Sequence, residues 1–457
     1  MPSPVIDRPT VDFKPVPTRW QDIARQIGPG LIISAVIVGS GELIVTPTLG
    51  ASVGFQLLWF IIIGCFIKVF VQIELGRFAI TKGMTTLEAM NSIPGPKLIV
   101  SWLVWLWALM YLGLLFQLAG MVSGIASVFA LAGLNLPVKL IGLAVGTVTA
   151  ALLFVGRYRM VELFSTVLVV LFTICTLVAV GALQMTSFAV TPAQLWEGMK
   201  FQLPKDFTIA FATFGIIGVG ASELIYYPYW CLEKGYGKNV GPFEPGPRWL
   251  ERARGWIRIM HLDAFICFLI YTTATLAFYL LGAAVLHAKG LKVENAKMIE
   301  TLSHMYRETF GPWSFWLFLV GAFSVLYSTV FCATASNARL LADALALFKA
   351  VKYPTPEDRA RMVRIGCVIV PIAYVTVFMV WGEPVSLVLV GAIAQGLMLP
   401  FLAFAALYFR YCRIEPALRP GAVWTFWLWI AAVAMAAVGG YQVMTKLQLD
   451  RLFKWIF

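Results

Sequence analysis

Eleven long apolar stretches run through this 457-residue chain, near 29–50, 54–80, 98–130, 138–156, 160–184, 206–230, 258–286, 313–347, 364–381, 385–411 and 422–445. A helix needs roughly 20 mostly apolar residues to cross a hydrocarbon core, and each stretch approaches or exceeds that length. With 60% hydrophobic and 13% charged residues, the chain has too little polar surface to dissolve without lipid. The expected class is an all-α integral membrane protein of about 11 transmembrane helices.

Residues 1–28 contain several prolines and no apolar run long enough for a signal sequence. They are expected to be a flexible cytoplasmic tail ahead of a single transmembrane domain, 29–457. With that tail inside, basic residues gather on the same side: Arg8, Arg19 and Arg25, then Arg77, Lys82 and Lys97, then Arg157 and Arg159, then Arg248, Arg252, Arg254 and Arg258, then Arg359, Arg361 and Arg364, then Arg410, Arg413 and Arg419. This is the positive-inside pattern. It predicts a multi-pass protein of the cell inner membrane with a cytoplasmic N-terminus. The net charge of +12 is then explained by topology and contact with anionic lipids rather than nucleic acid.

Several chemistries are disfavoured by the motif inventory. The seven cysteines show neither disulfide nor zinc spacing, and His261, His287 and His304 are too scattered for a metal cluster. There is no phosphate-binding loop with its lysine, no nucleophile elbow and no HExxH. Neither an enzyme nor a bound cofactor is expected, and a monomer suffices for what the sequence implies.

The most informative feature is an internal repeat. The segment V-G-S-G-E-L-I-V-T-P at 38–47 matches V-G-A-S-E-L-I-Y-Y-P at 219–228 in six of ten positions. Matches of Val, Leu and Ile are unremarkable in such a chain. Gly39 with Gly220, Glu42 with Glu223 and Pro47 with Pro228 are informative, because a carboxylate in mid-span is costly and glycine weakens a helix. The copies lie five spans apart, on the first and the sixth, so the second enters from the opposite side, as an inverted-topology repeat requires. Gly39, Ser40 and Gly41 are expected to unwind the first span, and Gly220, Ala221 and Ser222 the sixth. Freed backbone groups are tolerated in a membrane only where they line a polar cavity or a ligand, so these breaks are the expected substrate site.

At these residues the chain resembles the Nramp family of divalent-metal transporters, whose LeuT-type fold has two inverted five-helix repeats. The resemblance rests on G-P-G at 28–30, L-L-W at 57–59, Gln72 and Arg77 before T-K-G at 81–83, G-I-I-G at 215–218 and L-P-F at 399–401. It implies repeats over about 29–184 and 206–411, helices 1 and 6 broken at mid-membrane, and an extra helix at 422–445. The departures lie in the site. The family's D-P-G-N reads Gly39-Ser40-Gly41-Glu42 here, and its M-P-H aligns with Ser222-Glu223-Leu224. Acidic positions of the family's proton route align with Gln117 and Gly120, and Met398 stands where a glutamine often precedes L-P-F.

Two substrate classes follow. If Glu42 and Glu223 both face the cavity, their carboxylates, the Ser40 and Ser222 hydroxyls and carbonyls near Gly39 and Gly220 form a hard oxygen set suited to Mg2+, Mn2+ or Ca2+. The two carboxylates would repel each other, so that one could hold a proton when the cation is absent, which makes Glu42 and Glu223 the coupling candidates as well. Alternatively Lys68, in the middle of the second span, neutralises one glutamate. A small organic solute, amine or amino-acid-like, is then favoured, with Tyr227 and its neighbours offering ring faces. Tyr229 and Trp230 are read as an interfacial aromatic belt. Glu74 with Arg77 is read as a structural pair, Asp263 as a gate or structural carboxylate, and Ser328 with Thr329 as hydroxyls resembling an ion site of other LeuT-type carriers. The segment 231–256 is expected to be a loop followed by a basic helical stretch lying on the inner surface, and the loop near 288–312 to cover an entrance.

Overall fold

The computed structural model describes residues 13–156, 158–202, 208–244, 246–294 and 297–446. Among these residues eleven helical spans are long and apolar enough to cross a membrane: Pro29–Val53, Leu58–Lys82, Trp102–Leu131, Val138–Val155, Met160–Leu183, Ile209–Lys234, Pro247–His287, Ser314–Leu347, Pro356–Val380, Pro384–Cys412 and Ala422–Met444. We refer to them as the first to eleventh spans. Among the described residues the only strands are Lys97–Leu98 and Val100–Ser101, two residues each, which pair antiparallel.

Burial orders the spans. The first packs against the fifth, sixth, seventh and eighth, and the sixth against the first, second and tenth. In the second half of the sixth span, all of Ala221–Leu232 is buried. The fifth span instead turns Leu163, Val167, Val170 and Ile174 outward, and the eleventh exposes Val423, Phe426 and Val433. Apolar side chains facing outward are stable only in lipid, so the periphery is the membrane surface and the polar residues are gathered within.

Two segments differ from expectation. The basic stretch after 246 is not a separate element: Pro247–Leu281 is one continuous helix, because nothing in P-R-W-L-E-R-A-R-G-W-I-R interrupts it beyond a single glycine. The N-terminal segment includes a helix over Trp20–Gln26, and Phe13 and Val16 pack against Gly241 and Gly255.

Candidate substrate site at the two broken helices

The first span begins as the helix Pro29–Ile37. Its free N-terminal amides are met by Asp263 of the seventh span, whose carboxylate accepts from Gly28 N at 2.9 Å and Gly30 N at 2.7 Å, and from the Tyr227 hydroxyl at 3.0 Å. A buried carboxylate at a helix N-terminus is favourable electrostatically and satisfies donors that have no helical partner. Asp263 is thus a capping residue in this conformation.

The helix ends at Ile37, leaving carbonyls without i+4 donors. The eighth span supplies them: Thr329 Oγ1 donates to Ala35 O at 3.0 Å and lies 3.2 Å from Val36 O, and Ser328 Oγ lies 3.4 Å from Ala35 O. Close approach of the two spans requires glycine at 39, since a Cβ there would collide with Thr329 Oγ1 and lie 2.6 Å from Thr329 Cβ. Unwinding is narrower than the three residues expected. Only 38–39 leave the helix, and Ser40–Val45 rewinds as a π-turn, with the Thr46 hydroxyl donating to Gly41 O at 2.8 Å. Gly41 is therefore inside a wound segment, a local form that recurs at functional sites. The side chain of Ser40 lies outside the described residues.

In the sixth span the helix Thr208–Ile216 stops and Ala221–Lys234 begins, so the break is 217–220. It sits upstream of the expected 220–222 because Gly218 takes φ of +55°, a left-handed conformation glycine adopts at no steric cost. Ala221, Ser222 and Glu223 form the first turn of the second half, where acidic side chains are stabilised by the helix dipole. Two charged residues fasten the break. Lys68 Nζ donates to Phe214 O at 2.6 Å and Ile217 O at 2.5 Å and stands 4.7 Å over the Phe214 ring. Glu42 Oε1 accepts from Gly218 N at 3.4 Å and from the Thr275 hydroxyl at 2.9 Å. Both side chains are fully buried. Among the described residues Lys68 forms no ion pair with either glutamate, because its ammonium is engaged by the orphan carbonyls of the half-helix C-terminus.

Beyond the break the backbone N of Ser222 donates to Gln395 Oε1 at 3.0 Å, and the Ser222 hydroxyl lies 2.8 Å from Glu223 Oε1 and 2.9 Å from Gln395 Oε1. Gln395 Nε2 in turn donates to Gln117 Oε1 at 2.8 Å. A Cβ at Gly220 would lie 2.5 Å from both Gln395 Oε1 and Glu223 Oε2, so that position is kept open by glycine. Glu223 Oε2 is buried with no hydrogen-bond partner, as is Glu42 Oε2.

A cavity of about 20 Å³, room for about one water, opens beside Glu223. Its polar wall is Glu223, Ser222, Tyr226, Gln117, Asn337 and Thr329, and its apolar wall is Val36, Leu114, Leu118, Met121 and Ala333. Tyr226 donates to Asn337 Oδ1 at 2.9 Å, and Asn337 Nδ2 has no partner. Glu42, Lys68 and Tyr227 do not line this cavity. The described residues hold no group of three His, Cys, Asp or Glu side chains able to share a metal. A cation here would meet one carboxylate and neutral oxygens.

Two interrupted helices five spans apart, each buried at the centre and each carrying a glutamate at its break, are the arrangement on which the family question turns. The sequence profile described as natural resistance-associated macrophage protein-like, Nramp, matches residues 30–445. This chain belongs to the Nramp family. An uncharacterised protein of Pasteurella multocida (strain Pm70) is 23% identical to this Nramp protein over 354 residues, 74% of each chain. Among solved structures, a variant of the Eremococcus coleocola manganese transporter superposes with a TM-score of 0.70 at 15% identity, covering 97% of this chain and 91% of that one. Mhp1, a nucleobase-cation-symport-1 family transporter captured closed with bromovinylhydantoin, gives 0.58 at 16% identity, covering 94% and 92%. The Nramp chain therefore has the LeuT-type fold of two five-helix repeats with helices 1 and 6 broken.

Several site positions of this Nramp protein were not singled out by its sequence. Gln395 sits at the centre of the polar network, though a glutamine inside A-I-A-Q-G-L-M-L reads as one more polar residue of a span. Asn337 and Thr275 were equally inconspicuous. Tyr226, not Tyr227, faces the cavity. The Tyr227 hydroxyl turns to the seventh span, where it also lies 3.0 Å from Met260 O. Nor do Tyr229 and Trp230 form a lipid-facing belt: both are buried, Trp230 Nε1 donates to Ser336 at 3.0 Å, and Arg339 stacks on its ring at 4.3 Å while pairing with Glu233 at 2.6 Å. Glu74 is bound by Arg77 at 3.6 Å, as expected, and also by Arg410 at 3.2 Å.

Proposed function

We propose that this protein is a secondary-active, alternating-access transporter of a hard divalent cation of the Mg2+ or Mn2+ kind, set in the inner membrane with its N-terminus in the cytoplasm. The observation that carries this reading is the unpartnered, buried Oε2 of Glu223 on an oxygen-rich cavity wall. A buried carboxylate oxygen with no donor favours a cation or a proton at that point. Hard ions prefer such oxygen ligands, with Ser222, Gln117, Tyr226, Asn337 and Thr329 completing the set. Met121 is the one soft donor on the wall.

Lys68 supports the metal reading over the organic one. An organic amine is favoured if Lys68 neutralises a glutamate, and its ammonium is instead engaged with Phe214 O and Ile217 O. A cavity sized for one water also suits an ion better than an amino acid. The manganese transporter of Eremococcus coleocola, similar in fold, is consistent with this choice.

Glu42 is the second carboxylate of the proposed cycle. Its Oε1 holds the sixth break through Gly218 and its Oε2 is unpartnered, so it can take a proton or a cation without losing that hold. A proton on Glu223 or Glu42 would leave as the cation arrives and return after its release, which couples the two fluxes.

Calorimetric titration of the purified protein with Mg2+, Mn2+ and Ca2+ tests the reading. Saturable binding that disappears in Glu223→Gln and weakens in Glu42→Gln is expected. Folded protein that gives no heat with any of the three would move the assignment to an organic solute.

A further inference from the structure

Away from the broken helices, the helix Pro247–Leu281 carries Arg248, Arg252, Arg254 and Arg258 within its first twelve residues, ahead of the apolar part of the seventh span. These four arginines with Glu251 line a groove of about 590 Å³, walled on the other side by Pro15 and Val16. At 100° per residue positions 248, 252, 254, 255 and 258 fall on one broad face. Gly255 sits at its middle, where any Cβ would strike the Val16 side chain.

The groove is built rather than merely basic. Arg252 Nε donates to Val240 O at 3.3 Å and its guanidinium lies 4.5 Å over the Phe13 ring. Its Nη2 is nevertheless buried with no hydrogen-bond partner. Arg254 Nη2 is tethered to Ala417 O at 3.2 Å. None of the four forms an ion pair among the described residues, although Glu251 shares the groove. Two guanidinium groups are thus positioned by backbone carbonyls and a ring, and two more, on Arg248 and Arg258, are exposed beside them.

We infer that this groove binds a phosphate group, and that the phosphate is the headgroup of an anionic phospholipid. Guanidinium is the side chain best matched to phosphate, offering parallel donors in a fixed fork. The lipid source follows from position. The apolar run of the seventh span begins just after Arg258, and Arg248 is about 15 Å earlier along the same helix at 1.5 Å per residue, which sets the groove at the depth of lipid headgroups. Basic residues at that depth are drawn to anionic lipid. The bound headgroup would also join the segment around Phe13 and Val16 to the seventh span and, through Arg254, to the chain that leads into the eleventh.

Native mass spectrometry of the full-length protein in neutral detergent, titrated with phosphatidylglycerol, phosphatidylcholine or inorganic phosphate, tests the inference. One tightly retained phosphatidylglycerol is expected, with affinity reduced about tenfold in Arg252→Gln and in the double variant Arg248→Gln/Arg258→Gln. The exposed pair guards against misfolding as the cause, and thermal unfolding of each variant checks it. Equal retention of phosphatidylcholine, or phosphatidylglycerol binding unchanged when all four arginines are glutamine, would overturn the site. Inorganic phosphate displacing the lipid at comparable concentration would overturn the lipid source.

Discussion

Replacing Gly39 with alanine tests whether the contact between the first break and the eighth span is as close as it stands. A methyl at 39 would meet three atoms of Thr329, with Cβ at 2.6 Å, Cγ2 at 2.8 Å and Oγ1 closer still. Overpacking of this kind costs about 1–3 kcal/mol. Thr329→Ala alone removes the donor to Ala35 O and Val36 O and should cost about 1–3 kcal/mol, the penalty of leaving a buried carbonyl unmet. If the two effects were independent the double variant would lose about 2–6 kcal/mol by the same reckoning. They are not independent, because Thr329→Ala deletes two of the three colliding atoms. The double variant should therefore be more stable than the sum of the single losses by about 1 kcal/mol or more, within the range of contacting residues. Equilibrium unfolding of the four proteins in one detergent measures this. Losses that add to within about 0.5 kcal/mol would show that Thr329 is not what holds position 39 to glycine.

Three further outcomes follow from the same geometry. Asp263→Asn keeps the shape but leaves one oxygen to cap Gly28 and Gly30, and should cost about 1–2 kcal/mol in unfolding measurements; no loss would remove its capping role. Lys68→Met strips the ammonium from Phe214 O and Ile217 O, about 1–3 kcal/mol per carbonyl, against the several kcal/mol that burying an ammonium costs, so the variant should stay folded. Its order of preference among Mg2+, Mn2+ and Ca2+ should be unchanged, and a reordered series in competition titrations would put Lys68 in the site. Glu88, in the capping box of the short helix Thr86–Asn91 between the second and third spans, is pushed by burial from 4.5 up to about 7. Its neutral form is favoured by the fold, so its stabilisation is full below pH 4.5 and lost as pH rises through 7, by up to about 3 kcal/mol. Glu88→Gln should flatten that decline in thermal unfolding from pH 4.5 to 8, and an unaltered slope would refute the assignment.

The spans were legible because hydrocarbon imposes a length and a composition on every helix that crosses it. The breaks were legible because glycines and a carboxylate recur in register at 39–42 and 220–223. What escaped was the partner of each freed group. Lys68 reads as a counter-ion because a lone intramembrane charge suggests an opposite one, yet carbonyls at a half-helix C-terminus satisfy an ammonium as well. Gln395, Asn337, Thr275 and Thr329 act through placement on neighbouring spans, which no local pattern encodes. The same holds for Tyr226 and Tyr227: adjacent on one helix, they point to different spans, and composition could not tell which would face the cavity.

At the level of the two breaks, the polar contacts fall into two kinds. Bonds made by ionisable side chains join the first, second, sixth and seventh spans to one another: Lys68 to Phe214 and Ile217, Glu42 to Gly218 and Thr275, Asp263 to Gly28 and Gly30. Those that reach the eighth and tenth spans are between neutral hydroxyls, amides and carbonyls, through Thr329, Asn337 and Gln395. Neutral bonds can be exchanged for water at a net cost of about 0.5–1.5 kcal/mol each, whereas those with a charged partner are worth about 1.5–3 kcal/mol. The molecule thus has a seam at mid-membrane. At the depth of the breaks four helices are riveted together on one side of it, and water entering there exchanges neutral bonds alone; the charged ties that cross to the eighth and tenth spans, Arg339 to Glu233 and Arg410 to Glu74, lie away from the breaks and hold like hinges.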